Sequence, residues 1–175
     1  MKRLFIILFL FAFPLVPAAG TTLKKKNLAQ LATESEAIVL AKVIDNTCAW
    51  NPERTIIWTE TTMDVIESWK GALEGHIAIK EPGGVVPPIG QLVHGMARYR
   101  PGDTVLVFMK KDILGQWRTH GCIQGAFRIV GKDGRQALEI GKWTRHVVAG
   151  QVGKNADLPA FKATVQELVK RGRGK

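Results

Sequence analysis

Apolar positions along the chain change their period several times, and each change marks an element. Between Thr104 and Lys110 they stop alternating: Val105-Leu-Val-Phe-Met109 is apolar on both faces. A half-exposed strand alternates, so this run predicts a central strand covered on each side. Arg100-Pro101-Gly102-Asp103 ahead of it suits a type II turn, with proline at the second position and glycine at the positive-φ third. Glu36–Ile44 is a second β-rich run that predicts a strand entering the core, and Asn46–Glu53 then reads as a loop carrying Cys48 and Trp50. Arg54–Trp69 is long and dense in threonine, isoleucine and valine. A strand of that length normally bends or carries a bulge, as barrel strands do at corners.

Shorter pieces follow. His76–Lys80 alternates, with Ile77 and Ile79 on one face, and Pro82-Gly83-Gly84 turns the chain into a loop over Val85–Gln91. Leu92–Ala97 reads as a further short strand, and Trp117–Thr119 and Gly125–Val130 continue the β pattern. Gly131-Lys-Asp-Gly134 joins Val130 to Gln136–Ile140, and Asp-Gly between two β runs signals a hairpin.

Helical spacing appears at the two ends. Leu28, Leu31 and Ala32 share one face of a short piece that must dock to persist. After a glycine-rich stretch, 141–156, Asp157 can cap a helix from Leu158 to about Lys170. Leu158, Phe161, Val165 and Leu168 fall on one seam with Val169 beside it, and Lys162, Gln166 and Lys170 face outward. This helix is expected to lie on the barrel and cover an apolar face.

The first twenty residues follow a different logic. Lys2 and Arg3 precede ten apolar residues, Leu4–Phe13, and Val16-Pro17-Ala18-Ala19-Gly20 supplies small residues. That is the pattern of a secretory signal cleaved after Ala18, Ala19 or Gly20. The apolar run is half what a span requires, so no transmembrane anchor is expected after cleavage. The chain therefore divides into a signal peptide (1–20), a basic leader (21–27), a β-barrel domain (28–156), a C-terminal helix (157–170) and a basic tail (171–175). It is expected to be periplasmic or extracellular.

Charge changes the picture slightly. Of 25 basic residues, Lys2 and Arg3 leave with the signal, so 23 face 15 acidic ones, a net of +8. Lys24-Lys25-Lys26 and Arg171, Arg173 and Lys175 concentrate positive charge at the ends. Such tails favour acidic surfaces. Export makes a disulfide between Cys48 and Cys122, the two cysteines, the expected state. By chain entropy it would contribute on the order of 4 kcal/mol.

Three segments together resemble a known family: Val39-Leu-Ala-Lys-Val43, Val65-Ile-Glu-Ser-Trp-Lys-Gly71 and Pro101-Gly-Asp-Thr-Val-Leu-Val-Phe108. In this order, behind an export signal and a helix, they resemble small secreted netrin-like domains, including the tissue inhibitors of metalloproteinases and related bacterial proteins. Pro82–Gly84 and Gln124–Phe127 resemble elements of bacterial secreted relatives. The likeness covers roughly 28–130. It implies a mainly β fold: a small OB-like Greek-key barrel with a short N-terminal helix and a C-terminal amphipathic helix packed on it. Those inhibitors chelate zinc through a mature N-terminal cysteine. No cysteine lies near 19–21 here, so that mechanism does not carry over.

Catalytic chemistry finds little support. Ser35 and Ser68 are the only serines, and neither sits in a nucleophile elbow. His76, His94, His120 and His146 form no metal-binding pair spacing, so no metal or cofactor is expected. Glu60 and Asp64 share a face of the long strand while Glu67 points to the other, a solvated edge rather than a glycosidase pair. Pro82-Gly83-Gly84 lacks the Gly-Lys-Ser/Thr ending of a phosphate loop. The five tryptophans fit core and rim packing, and export argues against nucleic acid as a physiological partner.

The expected function is a non-enzymatic exported barrel that binds a protein or an envelope polymer. One alternative is a small thiol- or metal-dependent enzyme using His120 and Cys122. Another is an electrostatic binder of acidic polymers through the basic ends. Candidate partner-binding residues lie in loops: Trp50, Pro82, Gly83, Gly84, His120 and Gln124.

Overall fold

The computed structural model describes residues 23–132, 134–149 and 157–173. The signal peptide with its cleavage positions, Asp133 of the hairpin turn and the last two residues of the basic tail lie outside them. The chain is mainly β: one seven-stranded antiparallel sheet, a small two-stranded ribbon and short helices.

Helix α1 (Leu28–Glu34) opens the described part, and a capping box starts it: Asn27 accepts from the Gln30 N–H while the Gln30 side chain accepts from the Asn27 N–H. Leu28, Leu31 and Ala32 are fully buried, as their spacing predicts. Strands β1 (Ala37–Trp50) and β2 (Ile57–Lys70) then form a long antiparallel ribbon. The expected loop at Asn46–Glu53 is instead strand as far as Trp50. Pro52 falls in the turn rather than the ladder, and Asn51 organises that turn by accepting the Thr55 and Ile56 N–H groups. The expected bulges are present as register shifts between Ile38 and Val39, Leu40 and Ala41, and Val43 and Asp45. Ile44 and Ile66 are the unpaired residues at two of them, which accounts for their exposure, 46% and 56%.

Strand β3 (His76–Pro82) pairs with β2, and β4 (Gly84–Val86) pairs with β5 (Ile89–Gln91) as a short hairpin. The expected loop at Val85–Gln91 is therefore a hairpin, whereas Leu92–Ala97, expected as a strand, has no ladder partner. Strand β6 (Thr104–Lys111) pairs with the first half of β1, with β7 (Trp117–Thr119) and with β8 (Ala126–Lys132). A single 3-10 turn, Cys122–Gly125, separates β7 from β8, and β9 (Arg135–Leu138) closes the hairpin with β8. Helices α2 (Arg145–Val148) and α3 (Leu158–Arg173) finish the chain.

Two cores share β6. Val105, Val107 and Met109 face Val39, Val43, Met63, Ile77, Ile79 and Tyr99 on the concave side of the sheet. Leu106 and Phe108 face the helices, where Phe127 stacks on both Phe108 and Phe161, with ring centroids 6.0 and 5.6 Å apart. The prediction of a strand covered on both faces is met, and Leu158, Phe161, Val165 and Val169 of α3 supply much of the second cover. Lys162, expected outward, instead ion-pairs with Glu67 on β2.

The order β3-β2-β1-β6, with β7 on β6, brings β7 alongside β3. By the alternation of antiparallel pairs the two run parallel. Among the described residues no backbone ladder joins them. Side chains cross the gap instead. On the inner side the Thr119 N–H donates to Glu81 Oε1 at 2.7 Å, and on the outer side the Arg118 guanidinium donates to the Lys80 carbonyl. Alternation along each strand puts these two stitches on opposite faces.

Candidate functional site

A cleft of about 420 Å³ opens where the far half of the β1–β2 ribbon meets the end of β3 and the β4–β5 hairpin. The ribbon supplies Asn46, Cys48, Thr59 and Thr61 from its inward face. Glu81, Pro82, Gly83 and Gly84 form another wall, Gln91 and Leu92 a third, and Ala97, Arg98 and Tyr99 complete the lining. Gly84 makes the arrangement possible. It has φ +145°, and a Cβ there would lie 2.5 Å from Thr59 Oγ1 and 2.8 Å from Cys48 Sγ. Only glycine lets the backbone come that close.

The walls are cross-linked by hydrogen bonds. The Thr59 hydroxyl donates to the Gly83 carbonyl at 2.6 Å and lies 3.3 Å from Cys48 Sγ. The Thr61 hydroxyl donates to Asn46 Oδ1 at 2.7 Å, and the Asn46 amide donates to the Tyr99 carbonyl at 2.8 Å. Gln91 Oε1 accepts the Ile57 N–H at 2.7 Å, tying the hairpin to the start of β2. Around the mouth Val85, Ile89 and Leu92 are exposed by 62%, 50% and 57%. Apolar side chains left this open beside a cleft are a recognised feature of binding surfaces.

Glu81 is buried, and burial pushes its carboxyl above the usual range despite bonds from the Thr119 N–H and hydroxyl. The Tyr99 phenol, 2.6 Å from Thr119 Oγ1, is pushed well upward by burial and then by Glu81. Glu81, Thr119 and Tyr99 thus form a polar network that holds β7 against β3 from inside. Sequence reading missed it. An isolated glutamate one residue before Pro-Gly-Gly was the available signal.

The outer side of the same seam is a second groove of about 450 Å³, lined by Trp50, Trp58, Lys80, Leu114 and Arg118 among others. Arg118 lies 4.2 Å from the Trp58 ring centroid, and its Nε is 2.9 Å from Asp112 Oδ2. This cation is already engaged, so its first role is to fasten the seam. Trp50, at the end of β1, lines this groove, whereas Cys48, two residues earlier, lines the first cleft.

The third candidate loop lies elsewhere. Gln124 is fully buried and works as a clamp on the leader: its amide donates to the Lys24 carbonyl at 3.0 Å, and its Oε1 accepts the Lys26 N–H at 3.0 Å. His146 Nε2 approaches the same oxygen at 2.7 Å and must carry the proton there. His120 Nε2 sits 3.2 Å from Glu34 Oε2, which also pairs with Lys26. Burial lowers the His120 pKa, with Lys26 adding to the shift.

The expected disulfide is not formed. Cys48 and Cys122 are both free thiols, because Cys48 faces the cleft from the ribbon while Cys122 starts the 3-10 turn after β7 with φ +57°. Burial, then Glu81, pushes the Cys122 thiol up, and a neutral thiol is a poor nucleophile. Among the described residues no group of three His, Cys, Asp or Glu is placed to hold a metal ion, and no helix is long and apolar enough to cross a membrane. Comparison with known protein families, with curated proteins and with solved structures finds no match.

Proposed function

We propose that this protein is an exported OB-like barrel, akin to netrin-like domains, that binds a protein or envelope-polymer partner and is not an enzyme. The observation that carries the reading is the cleft between ribbon and hairpin, with its exposed apolar rim at Val85, Ile89 and Leu92. Two of the three loops that the sequence singles out contribute to this end of the molecule: Cys48 from one, Pro82, Gly83 and Gly84 from the other.

Barrel character is supported by the ring β1-β2-β3-β7-β6, in which each step is a ladder except β3 to β7, where Glu81 and Arg118 substitute for one. That cyclic order, with a parallel closing pair, is the order of an OB barrel. Export is supported by the pattern at 1–20. The binding reading over catalysis is favoured by the neutral Cys122 and by His120, which is turned to Glu34. The electrostatic alternative is weakened because Lys26 and Arg171 already pair with Glu34 and Glu167.

Co-fractionation in the native host tests the reading. Wild-type protein should migrate in an envelope complex, and Val85→Asp with Leu92→Asp should release it as folded free protein. Co-migration that survives both changes and is lost on trimming the basic ends would overturn the cleft reading in favour of the charged termini.

A further inference from the structure

The hydrogen-bonding groups of the cleft are used unequally. Its side-chain acceptors are consumed within the protein: Asn46 Oδ1 by Thr61, Gln91 Oε1 by the Ile57 N–H. The Thr59 hydroxyl proton goes to the Gly83 carbonyl, so its oxygen takes the Cys48 thiol proton. Donors are left over. Among the described residues the Gln91 side-chain N–H groups and the second N–H of Asn46 make no hydrogen bond to protein, and neither does Arg98, an exposed residue of the lining. Glu81 is the one acid in the lining, and its Oε1 accepts the Thr119 N–H on the seam.

A surplus of donors beside an exposed guanidinium at the lining favours an acceptor-rich anion, and a planar fork of N–H groups matches a carboxylate best. Beside these donors Val85, Leu92 and Ala97 offer apolar surface. We propose that the cleft is a binding site for a carboxylate on an apolar body, with the carboxylate held by Arg98 and Gln91 and the body against Val85 and Leu92. The site is large enough for a short-chain acid or for the last residue of a peptide chain. This inference rests on the cleft being the partner site and names the chemistry it selects.

The test uses full-length mature protein and three probes of equal length: hexanoate, hexanamide and hexylamine. Amide chemical shifts are followed by NMR through each titration. Hexanoate should shift residues 81–92 and 98 saturably, with the amide and the amine at least about tenfold weaker. Arg98→Gln should weaken hexanoate about tenfold, and Lys42→Gln, on the exposed face of β1, should leave it unchanged. Equal binding of all three probes, no shift at the cleft, or an unaffected Arg98→Gln variant each overturns the proposal. A peptide ending in leucine, free or amidated, separates the two sources. Tighter binding of the free peptide than of hexanoate supports a chain terminus, and binding of hexanoate alone supports a small acid. Loss of carboxylate binding would leave the co-fractionation result standing, so the two readings fail separately.

Discussion

Replacing Arg118 with alanine tests whether this side chain fastens β7 to β3. The side chain is mostly buried and makes three interactions: a stack on Trp58 at 4.2 Å, an ion pair with Asp112 at 2.9 Å and a donation to the Lys80 carbonyl. A cation over an aromatic face contributes about 0.5–1 kcal/mol at a partly exposed site. The Asp112 pair lies near the surface and adds little. A charged donor on a carbonyl contributes about 1.5–3 kcal/mol. One side chain makes all three, so they overlap, and the expected loss is about 2–3 kcal/mol rather than their full sum. Arg118→Lys keeps the charge but not the fork, and should recover less than half. Urea unfolding measures the loss. Amide exchange locates it, because the Thr119 N–H crosses the same seam to Glu81. Exchange at Thr119 should accelerate in Arg118→Ala well before global unfolding. A loss below about 0.5 kcal/mol together with unchanged exchange at Thr119 would refute the idea that Arg118 fastens β7 to β3.

Three further outcomes follow from the same geometry. Gly84→Ala forces a Cβ against Thr59 and Cys48 at φ +145°, and should cost about 1–3 kcal/mol in urea unfolding while shutting the cleft to hexanoate. Glu81→Gln keeps the acceptor for Thr119 but removes the ionisable group. The folded chain holds the Glu81 proton above the usual carboxylate range, so wild-type stability falls as pH rises through that window, and the variant should gain on wild type there by about 1.4 kcal/mol per unit of upward displacement. Equal pH dependence of the two proteins, measured by thermal unfolding from pH 3 to 8, would contradict this. Alkylation of the protein isolated from its host should find two free thiols, with Cys122 reacting slowly at pH 8 because its pKa is raised; a mass two hydrogens lower, without alkylation, would restore the disulfide.

Much of the layered core was legible in the pattern of the chain. The doubly apolar run at Val105–Met109 announced a strand with a core on each side, and the helical seam from Leu158 announced what covers one of them. The long β2 run foretold bulges, though not that they would turn Ile44 and Ile66 outward. Around the cleft the pattern was misleading for physical reasons. Val85–Gln91 contains two prolines and two exposed apolar residues, so nothing in its period reveals a hairpin. Cys48 lies on a strand whose distal half is polar enough to read as loop. The disulfide expectation rested on compartment alone, and positions of cysteines in sequence carry no distance. Gln124 was expected to bind a partner from a loop, whereas its role as a clamp depends on Lys24, Lys26 and His146, which lie far away in sequence.

Photo-crosslinking in the native host tests the central claim most directly. A crosslinking residue placed at Leu92, on the rim of the cleft, should capture one discrete partner when cells producing the protein are irradiated, while the same residue at Lys42 should capture none. Equal capture from both positions, or capture from Lys42 alone, would contradict the assignment of this cleft as the binding site.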